Sequence, residues 1–391
     1  MAWLIIILVL FASGGWIVPL GFHQEYVYLG LLYLLTLFLI LRHRGFFDRN
    51  KWLFIMAGLV VITSFFNDYR ISGKEITLVL KIIAVYFVLV YTHRFNIDWK
   101  RMFVDFMYWL SWISLAVYAI VLIFPDLLIR VYADYSTFLG LSYFRDTDMM
   151  RFGLYRNQAF FWEAGVFGVF LIMAYIFNYY HYRRYSPWIF YLAVASTFSV
   201  GACGILAALV IGQKLVKSFN LKKSLAFASA GIIMFILIYS YPVEAVGLVN
   251  AVFHRDILND GSTMVRFYDL KMGLAAAWEK PFFGHGFDDY SLYQEMLETQ
   301  LGYVRMGGIS NSLVDMLYKY GLFVTGLYIY LVLRFVRRNF NRDATVLFLA
   351  LIMLLMFEPL AFSLFFMLLL FDQRQVGNMI ENQTEMQSSV S

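Results

Sequence analysis

Long apolar segments recur from one end of this chain to the other, and they constrain its fold more than any other feature. They stand at about 3–19, 27–41, 52–66, 76–92, 103–124, 159–178, 187–213, 224–241, 312–333 and 345–371. A transmembrane helix needs roughly 20 apolar residues, and barrel strands alternate residue by residue, which these runs do not. Only 15% of the residues are charged, against about 25% in a typical soluble domain. We therefore predict an all-α, polytopic transmembrane protein.

Lysine and arginine cluster between the apolar runs, as they do in the cytoplasmic loops of membrane proteins. The clusters contain Arg42, Arg44, Arg49 and Lys51; Arg94, Lys100 and Arg101; Arg183 and Arg184; Lys214, Lys217, Lys222 and Lys223; and Arg334, Arg337, Arg338 and Arg342. With all of them inside, both termini are cytoplasmic. We expect residues 2–19 to be a first span, since they lack the basic segment and small-residue cleavage site of a signal peptide.

Two runs, 187–213 and 345–371, have basic residues at both ends, so each should cross the membrane an even number of times. Proline and glycine interrupt helices, and the candidate breaks are Ser199, Gly201, Gly204 and Glu358-Pro359. With these breaks the chain has about twelve membrane segments, as hairpins or as re-entrant pairs. The alternative is ten plain spans that violate the charge bias twice.

The twelve-segment arrangement places two large loops outside, at about 125–158 and 242–311. Their arginines include Arg130, Arg145, Arg151, Arg156, Arg255, Arg266 and Arg305. Outside arginines oppose the charge bias, so they indicate either anion binding or salt bridges to neighbouring carboxylates. Residues 1–371 are predicted to form one integral membrane domain, and the polar tail 372–391 is predicted to be disordered.

The segment RNQAFFWEAGVF begins at Arg156 and enters the sixth apolar run. The planar guanidinium of Arg156 suits phosphate. Glu163 should lie at the membrane surface, where a carboxylate is costly unless it is paired or used. The segment therefore offers an anion-binding arginine with a catalytic carboxylate, or a structural Arg156–Glu163 ion pair.

A second segment combines Arg266 with the turn Gly284-His285-Gly286. Glycine permits close backbone approach, which makes Gly284 and Gly286 candidate phosphate-binding residues. The usual pKa of histidine lies near physiological pH, so His285 is a candidate general base. A plain turn with an ordinary loop histidine is the alternative.

A third segment, GISNSLVDMLYKYG, runs from Gly308 to Gly321. Ser310 or Asn311 is a natural N-cap for the helix that follows. An outward helix N-terminus offers free N–H groups to an anion. Ser310 and Asn311 are therefore predicted to cap the helix and to position a substrate.

With these three segments in this order, the chain resembles the O-antigen polymerase and O-antigen ligase superfamily. RNQAFFWEAGVF is similar to the polymerase entrance "Arg-Asn…Phe-Trp-Glu-Pro-Gly", with Ala164 in place of proline. The sequence around Arg266 and PFFGHGF is similar to "Ser…Arg…Pro-x-x-Gly-x-Gly", and SNS is similar to the "His-Asn-Ser" of the ligases. Two departures stand out. Ser310 occupies the position of the ligase histidine, which disfavours the ligase function. The Arg-x10-Gly pattern of some polymerase loops would start at Arg156 and need glycine at position 167, which is Phe167.

The resemblance implies a GT-C-like fold and metal-independent, inverting glycosyl transfer at the periplasmic face of the bacterial inner membrane. Donor and acceptor would be undecaprenyl-pyrophosphate-linked repeat units, and a length-regulating co-polymerase is an expected partner. Arg156 and Arg266 would converge on the pyrophosphate, with Arg151 or Arg305 assisting. Glu163 is the first candidate base and His285 the second.

Other functions remain open at this stage. A ligase would transfer the same glycan to lipid A core. A flippase or transporter would place charged residues within the membrane, for which Lys81, Lys319 and Glu358 are the candidates. Because Cys203 is the single cysteine, no internal disulfide forms, and a Cys/His metal cluster is not expected.

Overall fold

The structure, a computed structural model, describes residues 2–13, 24–42, 51–68, 73–130, 135–144, 155–218, 261–287, 289–301, 308–340 and 343–372. Within these ranges the helices are α1 (Ala2–Phe11), α2 (Gln24–Arg42), α3 (Lys51–Asp68), α4 (Gly73–Arg94), α5 (Trp99–Ile123), α6 (Ala164–Phe177), α7 (Trp188–Ser196), α8 (Val200–Ser218), α9 (Gly261–Glu279), α10 (Ser291–Leu301), α11 (Ser312–Phe340), α12 (Ala344–Phe357) and α13 (Leu364–Phe371). The strands are β1 (Ile129–Arg130), β2 (Tyr135–Phe138), β3 (Leu141–Phe144) and β4 (Arg156–Asn157).

The prediction of a polytopic helical membrane protein is confirmed. Among the described residues, four segments are long and apolar enough to cross a membrane: Glu75–Arg94, Trp99–Ile123, Ala164–Tyr182 and Ser312–Phe340. Shorter apolar helices accompany them, at Ala2–Phe11, Lys51–Asn67, Val200–Gln213 and Ala344–Phe357. The count of about twelve membrane segments stays a prediction, as do the sides on which the loops lie.

Both predicted interruptions of long apolar runs are present. Helix α7 ends at Ser196 and α8 begins at Val200, so the chain breaks around Ser199, whereas Gly201 and Gly204 lie inside α8. Helix α12 ends at Phe357, immediately before Glu358-Pro359, and α13 begins six residues after Glu358. The second break is therefore a non-helical connection, and we call residues 358–363 the Glu358 connection.

The all-α prediction missed a small antiparallel sheet of order β1-β2-β3-β4. Its hairpin between β2 and β3 turns at Leu139 and Gly140, which both have positive φ (52° and 78°), as a type I′ turn requires. Strand β4 then pairs with β3, with Arg156 opposite Phe144. Such short strands carry little periodic signal, yet they fix Arg156 just ahead of α6.

Helix α6 lies at the centre of the bundle, and every one of its residues is buried. It packs against α5, α7 and α8. Aromatic rings fill the space around it: Phe170 lies 4.8 Å from Phe161 and 4.9 Å from Phe365, measured between ring centroids. A helix that is apolar on all sides belongs in such a position, and it brings its N-terminus, with Glu163, to one end of the bundle.

Helix α11 is broken at Gly321, whose φ of 70° and ψ of −169° are not helical. A Cβ at this residue would lie 2.2 Å from Phe282 O, so only glycine fits. The turn 280–286 fills the break. The N–H of His285 donates to Tyr318 O (2.7 Å), and the N–H of Leu322 donates to Pro281 O (2.7 Å). The turn thus satisfies backbone groups that the break leaves without helical partners.

The opposite end of the bundle is organised around Asp372, which was predicted to begin the disordered tail. This residue is only 2% exposed. Its carboxylate accepts from Trp99 Nε1 (2.8 Å) and pairs with Lys100 Nζ and His93 Nε2, each 3.1 Å away. Arg338 Nη2 donates to its backbone oxygen (2.8 Å). Asp372 therefore belongs to the membrane domain, and the rest of the predicted tail lies outside the described residues.

Candidate active site

Arg266 lies between two carboxylates that are far from it and from each other in sequence. Its Nη2 is 3.3 Å from Glu163 Oε1 and 3.4 Å from Glu358 Oε1. The side chains of Arg266 and Glu163 are each 32% exposed, whereas that of Glu358 is 2% exposed. Among the described residues, Nε and Nη1 of Arg266 have no protein acceptor. Two of its nitrogens are thus available to an added anion.

Glu163 reaches Arg266 because of its place at the start of α6. It occupies the N-cap position with an extended backbone (φ −146°, ψ 145°), yet its side chain makes no capping hydrogen bond. The carboxylate is instead directed to Arg266, on the second turn of α9.

Ser312, the last residue of the SNS motif, holds the Glu358 connection. Its Oγ donates to Glu358 O (2.5 Å) and accepts from the N–H of Ala361 (3.2 Å). Tyr328 OH donates to Ala361 O (2.8 Å), so a second residue of α11 fixes the same connection. The start of α11 therefore determines where Glu358 lies.

Gly165 makes room for the Glu358 carboxylate. A Cβ at Gly165 would lie 1.9 Å from Glu358 Oε1 and 2.8 Å from its Cδ. Real Cβ atoms do not approach other atoms so closely, so any side chain at Gly165 would displace the carboxylate. The Glu163-Ala164-Gly165 sequence thus supplies one carboxylate and the space for another.

Arg156 acts on the same carboxylate as Arg266. Burial raises the pKa of Glu358, which lies in the connection outside the helices. The charge of Glu163 raises this pKa further, while the charges of Arg266 and Arg156 oppose both effects. The Nε of Arg156 also donates to Thr197 O (3.1 Å), in the break between α7 and α8. The neutral form of Glu358 is therefore favoured, and Arg266 and Arg156 both contribute positive charge at this carboxylate.

The third segment lies beside these residues. The Oδ1 of Asn311 accepts from the backbone N–H groups two and three residues later, at 3.1 Å each, so the predicted cap is confirmed with Asn311 in that role. The N–H of Ser310 donates to Asp269 Oδ2 (2.9 Å). Asp269 is buried on α9, one turn after Arg266. Ser310 and Asn311 thus border the cluster through backbone and capping contacts.

His285, the second candidate base, lies away from the cluster of Arg266, Glu163 and Glu358. The residue is 5% exposed, and its Nε2 is 2.8 Å from Ala276 O. Its ring stacks on Tyr318 with centroids 4.5 Å apart. Ala276 comes ten residues after Arg266 on α9, which is about 15 Å along the helix axis. The structure therefore gives His285 a packing role and does not bring it to Arg266 as a second base.

The flanking glycines also differ from their predicted phosphate-binding role. The N–H of Gly284 donates to Lys280 O (3.0 Å) and that of Gly286 to Lys319 O (3.1 Å). These donors serve the break in α11, which corrects the prediction.

Arg151 and Arg305 lie outside the described residues, so their assisting role stays a prediction. In the described part of the chain, no group of three or more His, Cys, Asp or Glu residues is arranged to hold a metal ion.

Glu358 is the site residue that sequence reasoning missed. It is the one charged residue of the apolar run 345–371, and a charge in such a run is expensive unless it is used. The same charge is equally consistent with a helix break or with a transporter, so the sequence alone does not place Glu358 in the site. Lys319, a second transporter candidate, is paired with Asp315 of the same helix (2.6 Å).

Comparison with known proteins gives one similarity, to a protein family, over part of the chain. No curated protein and no solved structure matches the chain. The family model described as O-antigen ligase matches residues 163–329, less than half of the chain. The matched stretch begins at Glu163 and includes Arg266, Asn311 and Ser312. Residues 163–329 are therefore similar to the O-antigen ligase family, and the resemblance to the O-antigen ligase and polymerase superfamily is confirmed.

Proposed function

We propose that this chain is a glycosyltransferase that joins undecaprenyl-pyrophosphate-linked repeat units of a bacterial surface polysaccharide. The observation that carries the proposal is the cluster of Arg266 with Glu163 and Glu358, with Arg156 acting on the same carboxylate. It combines two cations suited to a diphosphate with a carboxylate that a sugar hydroxyl can reach. These are the groups that displacement of a diphosphate requires.

Arg266 and Arg156 would bind the diphosphate of the donor. As the bond between the anomeric carbon and the diphosphate breaks, the electron pair leaves with the diphosphate, and negative charge grows on its oxygens. Fixed cations aimed at that charge stabilise the transition state. The free Nε and Nη1 of Arg266 can donate two parallel hydrogen bonds to phosphate oxygens, as lysine cannot.

Glu163 would act as the general base. Its side chain is 32% exposed, so an acceptor hydroxyl can approach it. The proton of that hydroxyl passes to Glu163 while its oxygen attacks the anomeric carbon, which is inverted in a single displacement. Glu358 is buried and its neutral form is favoured. It therefore acts as a positioning residue that holds Arg266.

Two specific observations bear on the acceptor. Ser310 stands where the ligases have histidine, which supports a polymerase whose acceptor is another lipid-linked repeat unit. The description of the matching family as O-antigen ligase supports the second candidate, transfer to lipid A core. The polymerase is the function we propose first, because its base is Glu163 and does not depend on that histidine.

The wider setting belongs to the same proposal. The chain would lie in the bacterial inner membrane and have a GT-C-like fold of about twelve membrane segments. Its termini would be cytoplasmic, and the two large loops would lie in the periplasm. Arginines on that side fit a substrate diphosphate delivered on the outer leaflet. A chain-length-regulating co-polymerase is the proposed protein partner.

The proposed function is tested by turnover and by glycan pattern. Purified protein supplied with a lipid-linked repeat unit should form products two or more units long. In cells, deletion of a polymerase leaves a single repeat unit on lipid A core, whereas deletion of a ligase leaves none. No product in vitro, together with an unchanged glycan ladder in the deletion strain, would contradict both candidates.

A further inference from the structure

Arg156, one of the two cations assigned to the diphosphate, lies on a strand of only two residues. Strand β4 is the last in the sheet order, and it pairs with β3 through Asn157 opposite Tyr143 and Arg156 opposite Phe144. Two residue pairs supply few ladder hydrogen bonds. Side-chain contacts must therefore help to fix the place of Arg156.

Asn157 supplies such contacts from a fully buried position, with 0% of the residue exposed. Its Nδ2 donates to Ser196 Oγ (3.0 Å), and its Oδ1 accepts from the N–H of Ala159 (3.1 Å). Ser196 Oγ in turn donates to Ala193 O (2.7 Å). A reversed amide would set two donors, Nδ2 and the N–H of Ala159, against each other. The amide of Asn157 is thus held in one orientation.

The side chains of Arg156 and Asn157 bind the same place, the end of α7. Arg156 Nε donates to Thr197 O (3.1 Å), and Asn157 donates to Ser196, the residue before it. Thr197 is the C-cap of α7, and carbonyl groups at the end of a helix lack partners within the helix. The break between α7 and α8 therefore offers the acceptor that orients the guanidinium of Arg156.

Two non-glycine residues beside these contacts have a positive φ, Ala159 (49°) and Phe198 (47°). Ala159 comes two residues after Asn157, and Phe198 directly follows Thr197. Such residues are uncommon, cost free energy, and concentrate at functional sites. Strain on both sides of the contact favours a role in placing Arg156 over a role in stability alone.

We propose that Asn157 is a positioning residue, which holds Arg156 against the donor diphosphate by fixing β4 to the end of α7. Because Asn157 is fully buried, it acts on turnover only through Arg156. It also lies outside residues 163–329, which the family model matches. The inference rests on the proposed function, since it assigns Asn157 to the site that binds the diphosphate there.

The test is a double-mutant cycle on turnover by the purified full-length protein with a lipid-linked repeat unit. Asn157→Ala and Ser196→Ala remove the two ends of one hydrogen bond, and each is made in the wild type and in Arg156→Ala. Rates are divided by the folded fraction, which thermal unfolding in detergent gives. Thr137→Ala is the matched control, because it removes a side-chain bond of the same sheet, from Thr137 Oγ1 to Leu141 O (2.9 Å).

In the wild type, each change should lower kcat/KM by about 10- to 10²-fold, since a misplacement of roughly 1 Å can cost that much. In Arg156→Ala, the same changes should alter kcat/KM by no more than about twofold, the limit expected for sites without coupling. The loss of stability should be the same in both backgrounds, and Thr137→Ala should keep the wild-type rate. If Asn157→Ala does not fold, Ser196→Ala carries the test.

Two results would overturn the inference and leave the proposed function standing. One is an equal loss of turnover in both backgrounds, which a purely structural role would give. The other is wild-type turnover in Asn157→Ala and Ser196→Ala while Arg156→Ala is impaired. A wild-type protein that forms no product would contradict the proposed function itself, and the inference with it.

Discussion

Glu358 Oε1 occupies the space in which a side chain at Gly165 would begin, only 1.9 Å from the position of its Cβ. The two residues come from α6 and from the connection between α12 and α13. Their fit sets the carboxylate against Arg266, whose Nη2 is 3.4 Å away. Because Gly165 on α6 has no side chain, the carboxylate of Glu358 can lie beside Arg266.

Gly165→Ala should disrupt this fit. Overpacking of a buried position costs about 1–3 kcal/mol, and displacement of Glu358 should also lower turnover. Thermal unfolding in detergent and turnover of a lipid-linked substrate measure the two effects. Gly204→Ala is the control, because a Cβ there meets nothing within 4 Å.

The double variant Gly165→Ala/Glu358→Ala tests whether a clash with the Glu358 carboxylate causes the loss of stability in Gly165→Ala. Removal of the Glu358 carboxylate opens the space that the new methyl group needs. The stability lost through Gly165→Ala should therefore be smaller in the Glu358→Ala background than in the wild type. A fully additive pair would show that the two residues do not compete for one space.

Arg266→Lys should lower turnover by about 10²-fold or more, the effect of removing one group that stabilises transition-state charge. Lysine keeps the positive charge but loses the planar pair of donors. Lys280→Ala, an exposed change just beyond the end of α9, should leave turnover intact. Polymerisation by Arg266→Ala at the wild-type rate would show that the proposed site is wrong.

Glu163→Gln should lower turnover by about 10²- to 10⁴-fold, the usual contribution of a general base. The amide keeps the shape of the side chain but cannot take the acceptor proton. The protein should remain folded, because the side chain is partly exposed and caps no helix. Unchanged turnover in a well-folded Glu163→Gln protein would transfer the role of base to another group.

Replacing each serine of the SNS motif by alanine should change the stability of the protein by very different amounts. Ser312→Ala removes one donor and one acceptor from the Glu358 connection and should cost about 1–3 kcal/mol. Ser310→Ala should be nearly neutral for stability, since Ser310 Oγ has no partner among the described residues and its contact to Asp269 uses the backbone. Equal Tm values for the two variants would contradict this assignment.

Local features of the site could be predicted from sequence, and contacts between distant segments could not. The Asn311 cap depends only on the next three residues. The helix break at Glu358-Pro359 depends only on the proline. The sequence indicates Arg156, seven residues earlier, as the ion-pair partner of Glu163, whereas the structure pairs Glu163 with Arg266, which lies 103 residues later. Only packing of α9 against the bundle brings that arginine to the start of α6.

The turn at residues 284–286 shows why a glycine pattern alone could mislead. Glycine at a phosphate site and glycine in a tight backbone contact satisfy the same steric requirement, so the sequence does not separate them. The distinguishing residue is Gly321, 35 positions after Gly286. Its positive φ breaks α11 and leaves carbonyl groups that the turn must satisfy.

His285→Ala distinguishes a structural histidine from a catalytic one. The variant loses the hydrogen bond of Nε2 to Ala276 O and the stacking on Tyr318. We expect a loss of about 1–3 kcal/mol in unfolding free energy, measured by thermal unfolding. The fraction that remains folded should turn over substrate at the wild-type rate and with an unchanged pH profile, because the base that we propose is Glu163. Wild-type stability combined with lost turnover would make His285 the base and exclude the packing role.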